Sequence, residues 1–302
     1  MGYRIEDWTA IDAEVRRIAR EQLDRALAAL ADDSLDEPAR VHVARKRAKK
    51  VRSLLRLVRP RLKRKLHRRL DRHFRDLARR VSDVRDAAVH VETYDRVCAH
   101  AAGGIDRRGT ASIRAALTRR RNAALAAREH EERLARLAAD LERGRALIET
   151  IEFRGKGGTS GFAPLRDGFV AGYERARASG AVAREAGTAE AYHEWRKRVK
   201  HHRHHLKLLG PLWPVPIAAL HEEAGRLGER LGHAHDVAAL DEHLAAEPDA
   251  LGAPRHVESF VGFARALREE LERTSGSLGE RLFAERGERV GRRFEALYEA
   301  AG

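Results

Sequence analysis

Three observations predict an all-α fold for this chain of 302 residues. Leu, Ala and Val dominate its apolar residues, with aromatics at 5% and a single methionine, which suits helices with small-residue packing better than sheets. Apolar residues recur at steps of three and four along most of the chain. One basic helical stretch is written twice, at a constant offset of 151 residues. The repeat divides a single domain, residues 1–302, into halves 1–151 and 160–302, joined by the Gly-rich stretch 154–161.

Taken in order, Ile5, Trp8, Val15, Ile18, Leu23, Leu27 and Leu30 predict a helix over 4–31. A turn follows at 32–38, with Asp36 as cap and Pro38 in the first turn of the next helix, which runs to Val58. Leu66, Leu70, Phe74, Leu77 and Val81 mark a helix over 62–81, and Arg64, Arg68, Arg72, Arg75 and Arg79 run beside that stripe. Arg85-Asp86-Ala87-Ala88-Val89 is echoed by His235-Asp236-Val237-Ala238-Ala239, and around them Arg80 matches Arg230. A loop is expected at 103–109 and one long helix over 111–150. The second half reads as a helix over 163–179, a turn at Gly187-Thr188, the second basic helix, and a break at Pro211, Pro214 and Pro216. Helices over 217–233, 255–273 and 278–299 close it, with a loop at Gly276 and Gly279.

The doubled stretch reads His42-Val43-Ala44-Arg45-Lys46-Arg47-Ala48-Lys49-Lys50-Val51-Arg52 and His193-Glu194-Trp195-Arg196-Lys197-Arg198-Val199-Lys200-His201-His202-Arg203. On a helical wheel His42, Arg45, Lys46, Lys49 and Arg56 share one face, opposite Ala44, Val51, Leu55 and Val58. In the second copy His193, Arg196, Lys197, Lys200, His204 and Lys207 lie opposite Trp195, Leu206 and Leu209. Like charges at i,i+3 and i,i+4 repel by a few tenths of a kcal/mol per pair. No relieving carboxylate is expected on either ridge. Two such ridges invite an external anion.

His-x-x-Arg-Lys-x-x-Lys opening each half resembles the CHAD family, the conserved histidine α-helical domain, and the likeness spans nearly the whole chain. The resemblance implies two antiparallel helical bundles related by a pseudo-twofold axis, with a central basic groove between them. It also implies binding of inorganic polyphosphate without catalysis, in the cytoplasm and in association with polyphosphate granules. The residues expected to bind the chain are His42, Arg45, Lys46, Lys49, Arg52 and Arg56, with His193, Arg196, Lys197, Lys200, Arg203, His204 and Lys207. Arg80, Arg85 and Arg230 extend the set, and His235 departs from the Arg-Asp pattern of the first half. The alternative role for Asp86 and Asp236 is to orient an arginine or cap a helix.

Charge supports an anionic partner. The 60 Lys and Arg exceed the 46 Asp and Glu, giving +14. Residues 1–151 carry 37 basic and 23 acidic residues while 152–302 carry 23 of each, so the excess is local. Of the basic residues 51 are arginine, whose planar fork grips phosphate oxygens. A single cysteine, Cys98, excludes an internal disulfide and a Cys-based zinc site. His201 and His205 stand four apart, as metal ligands can, but Lys197, Lys200, Arg203 and Lys207 around them would repel a dication, so neither metal nor cofactor is expected. His202 reads as a core histidine. No nucleophile triad, paired carboxylates or nucleotide loop is present, which argues against an enzyme. The N-terminus resembles no signal peptide, no stretch suits a membrane span, and the cytoplasm is the expected compartment. Sequence-independent nucleic-acid binding is the rival reading, although Asn122 and Gln22 are the only residues of their types and neither is on a ridge. A basic scaffold for an acidic protein partner is the third. Neighbouring cations should hold His193, His204 and His235 below the ordinary histidine value, and a bound polyanion should raise them, so that binding tightens toward acid pH.

Overall fold

The computed structural model describes residues 2–79, 83–126, 130–155, 158–246 and 251–301. These hold eleven α-helices and no strand: α1 (Ile11–Leu30), α2 (Glu37–Leu57), α3 (Arg64–Arg79), α4 (Asp83–His100), α5 (Ala111–Ala126), α6 (His130–Glu149), α7 (Ala163–Ala186), α8 (Ala189–Leu209), α9 (Pro214–Ala246), α10 (Pro254–Leu282) and α11 (Gly287–Ala301). The two basic stretches lie on α2 and α8.

Both of those helices begin on a side-chain cap. Asp36 Oδ1 accepts from Ala39 N at 2.8 Å, with Pro38 in the first turn. Thr188 Oγ1 accepts from Ala191 N at 3.3 Å. Before it Gly187 takes φ +63° and donates its N–H to Ala183 O, ending α7 in the left-handed conformation glycine favours.

The first helix starts later than expected because the leading segment bonds elsewhere. Ile5 N donates to Leu208 O at 2.9 Å, and Trp8 O accepts from Gly161 N at 2.7 Å. Ile11 N donates to Thr159 O at 2.7 Å. Ile5 is fully buried, so its apolar side chain finds the core without helical backbone. The segment expected as one helix over 111–150 is helical as α5 and α6, with 127–129 outside the described residues, and its two parts have different neighbours. α5 packs on α4, and α6 packs on α1 and α3. α9 does not stop at 233 but runs through His235-Asp236.

The expected loop at Gly276 and Gly279 is absent, and α10 is continuous there. A Cβ at Gly279 would lie 2.3 Å from Trp195 Cζ2, and one at Gly180 would lie 2.8 Å from Trp195 Cε2. The fully buried indole of α8 therefore fills a slot between α7 and α10, and these glycines make room for it rather than break the helix.

Two buried apolar clusters organise the packing. The larger draws on α1, α2, α3 and α6 together with α7, α8, α11 and the first part of α9. The smaller joins α4 and α5 to the end of α9 and to α10. Each contains residues of both halves. α2 and α8 cross in the larger one, and Ser53 is the pivot. His205 Nε2 donates to Ser53 O at 2.9 Å. The Ser53 hydroxyl donates to Lys49 O, so that Nδ1–H of His201 is the donor in its 2.8 Å bond to Ser53 Oγ.

Candidate functional site

The crossing divides each ridge. Ser53 and His204, at the repeat offset, occupy the middle of the polar faces of α2 and α8, and there the helices meet. Ser53 is buried and His204 half-buried, its ring edge-on to Tyr3 with centroids 5.9 Å apart. Burial, with Lys50 next in effect, pushes the His204 pKa down to about 3. His202 is the expected core histidine, packed among Phe169, Tyr173 and Phe283. Because His201 and His205 both turn their rings to Ser53, the pair seals the crossing. Among the described residues no group of three metal-ligating side chains occurs.

On one side of the crossing Lys46, Arg47 and Lys50 of α2 meet Arg203 and Lys207 of α8. Arg25 of α1 and His221 of α9 join them. Lys50 reports their field most directly. Burial comes first, then Arg47, Lys46, Arg25 and Lys207, and together they depress its ammonium to about 8. Its Nζ lies 5.0 Å from the centre of the Tyr3 ring. His221 falls to about 4 through burial, then Arg203 and Lys207, with Glu222 opposing. Lys46, Lys50, Arg203 and Lys207 make no ion pair with any described carboxylate.

On the other side Arg52 and Arg56 of α2 meet Arg175 of α7 and Arg198 of α8, with Arg59 and His67 nearby. Here the expectation of carboxylate-free ridges fails. Asp71 of α3 accepts from Arg52 at 3.2 Å and lies 3.4 Å from Arg56. Glu194 likewise pairs with Lys197 and Arg198. Even so, burial and then Arg52, Arg198 and Arg175 hold the Arg56 guanidinium below its ordinary value against the opposing pull of Asp71.

A third stretch lies along α9. Arg196, Lys200 and Arg203 lie over Gly232, Gly228 and Gly225, where a Cβ would stand 3.3 Å from Arg196 Nε and 3.1 Å from Arg203 Cζ. The glycine track lets the long cationic stems rest on α9 beside an open cavity of about 690 Å³, which Glu229 and Asp236 also line. At its end the rings of His193 and His235 stand 4.1 Å apart, and burial followed by neighbouring charge holds each near 4.

The expected residues thus divide. Lys46, Arg203 and Lys207 converge on one side of the crossing, and Arg52 and Arg56 on the other. Arg196 and Lys200 follow α9. His42 and Lys49 are exposed and Arg45 half-buried on the first part of α2. Arg230 turns to α10, where its Nη1 lies 3.4 Å from Thr274 O, away from the clusters. Arg80 and the side chain of Arg85 lie outside the described residues. Sequence reasoning passed over Arg25, Arg47, Lys50, Arg175, Arg198 and His221. The repeat itself marked four of them, for Arg25 and Arg175 are 150 apart and Arg47 and Arg198 are 151 apart.

Fold and site together define an all-helical protein whose repeated basic helices cross and gather cations. The chain belongs to the CHAD domain family, whose model matches residues 17–245. Its structure is similar to that of PptA from Streptomyces chartreusis, with a TM-score of 0.65 at 14% identity, covering 91% of this chain and 100% of that one. No curated protein matches in sequence. Among the described residues no helix is long and apolar enough to cross a membrane.

Proposed function

We propose that this chain binds inorganic polyphosphate, without turning it over, through the cations gathered where α2 and α8 cross. The carrying observation is Lys50, an ammonium held near 8 by burial and by four other cations, with no described carboxylate to relieve it. A polyanion laid across the crossing supplies the missing counter-charge, and it does so for Lys46, Arg203 and Lys207 at the same time. In this reading the two halves are pseudo-twofold-related bundles and the paired ridges line one basic groove. The matching offsets of Arg25 with Arg175 and Arg47 with Arg198 support that symmetry. Membership of the CHAD family supports the ligand, and the near absence of base-reading side chains favours polyphosphate over nucleic acid. Among the described residues the carboxylate at the crossing, Asp71, is taken up by Arg52 and Arg56 and belongs to no group that could hold a metal, which supports binding rather than catalysis. A protein of this function would reside in the cytoplasm with polyphosphate granules.

Calorimetric titration of long-chain polyphosphate against single-stranded DNA of matched charge tests the reading. Polyphosphate should bind at least about tenfold tighter at the same salt concentration. Equal or tighter binding of the DNA would favour the nucleic-acid reading instead.

A further inference from the structure

The outer face of α3 is cationic in its own right and stands apart from the crossing. Arg64, Lys65, Arg68, Arg69 and Arg72 are all exposed on it, and none makes an ion pair or hydrogen bond with a described residue. They follow one another at three- and four-residue steps, so each repels its neighbours by a few tenths of a kcal/mol.

The other wall is α6, brought close by Gly144. A Cβ there would lie 2.8 Å from Phe74 Cε1 and 3.0 Å from His73 Nε2. His73 Nε2–H donates to Asp140 O at 2.8 Å and fixes the two helices together. Above this contact lies an open groove of about 1250 Å³, with Arg68, Arg69 and Arg72 on one rim and Arg143 on the other. Its two carboxylates are already engaged, Asp140 by Arg143 and Asp76 by Arg75.

We propose that the α3–α6 groove is a second binding track for polyphosphate, so that a long chain passes over α3 and engages this track and the central cations together. A single phosphate could meet only two or three of these side chains. A chain lying along residues 64–72 of α3, about 12 Å, meets them all. The track adjoins the central site because α3 turns Asp71 and His67 toward Arg52 and Arg56 and carries the exposed cations on the neighbouring face. Among the described residues the groove lining has no Asn, Gln or aromatic ring except His73, whose imidazole is committed to Asp140, so it favours an unadorned phosphate chain over a nucleic acid.

The inference rests on the polyphosphate reading, and its test separates the two. Tripolyphosphate, long-chain polyphosphate and single-stranded DNA are titrated against the wild type and against an Arg68→Gln, Arg72→Gln variant, whose exposed glutamines keep good helix propensity. The variant should bind the long chain about tenfold more weakly, with a salt slope shallower by about 1.4–1.8 for two lost contacts, and tripolyphosphate within about twofold of wild type. An unchanged long-chain affinity and slope would overturn the second track, and so would equal losses with both probes. A larger loss for single-stranded DNA than for polyphosphate would make the groove a nucleic-acid track and overturn the proposal. If the wild type bound neither phosphate probe, the polyphosphate reading itself would fall.

Discussion

At the scale of single residues, Lys50 is a group with an ordinary value near 10.4 on which burial and neighbouring charge act together. Its free-protein pKa is depressed to about 8, and a bound polyanion raises it. Below about 8 the ammonium is charged with or without ligand, so Lys50 adds no pH dependence there. Above that value the free protein must take up a proton to bind, and affinity falls until the bound-state pKa is passed. Wild-type affinity should therefore weaken between about pH 8 and pH 10, and Lys50→Met should lack most of that limb. Isothermal titration at several alkaline pH values checks this, and an identical decline in the variant would contradict it. Because depression of a lysine pKa costs stability while the group is charged, ligand-free Lys50→Met should also melt at a higher temperature below pH 8. The histidines work at the other end. His193 and His235 near 4 and His204 near 3 are neutral in the free protein through most of the ordinary histidine range, so their tightening effect belongs on its acid side. Their lowered values were legible from the basic neighbours. That burial outweighs charge was not, because the wheel put His204 on an open ridge, whereas the fold half-buries it with its ring against Tyr3 of the leading segment.

At the scale of elements, what decided the outcome was how one helix meets another. The caps of α2 and α8, the core stripes and the basic faces follow local rules and were legible. The continuity of α10 through Gly276 and Gly279 was not, since a glycine that admits an indole looks in sequence like a glycine that ends a helix. Gly279→Ala would set a Cβ against Trp195 and should cost about 1–3 kcal/mol, as overpacking of a filled core does. Chemical denaturation measures that loss, while polyphosphate affinity per folded molecule should not change. A neutral or stabilising alanine would mean that the slot has slack. The segment before α1 teaches a similar lesson. Its apolar spacing is helical, but its N–H and C=O groups bond to Leu208 and Gly161, elements far along the chain. The pairing of Arg52 and Arg56 with Asp71 was hidden in the same way, because it depends on where α3 docks.

At the scale of the whole molecule, a formal charge of +14 is neither spread evenly nor neutralised where it is densest. Packing α2 across α8 places cations of both halves around one point, and on the proposed function a bound polyanion would offset the stability lost to their repulsion. Lys46 and Lys207 test that idea best, since they come from the two different helices, are exposed, and pair with no described carboxylate. Their exposure means that reversing them should leave the fold intact, which circular dichroism verifies. Titration of long-chain polyphosphate into wild type and a Lys46→Glu, Lys207→Glu variant over a series of salt concentrations is the most direct measurement. The variant should bind at least about tenfold more weakly, with a salt slope shallower by about 1.4–1.8 or more. Unchanged affinity and slope in a folded variant would show that polyphosphate does not bind where α2 and α8 cross.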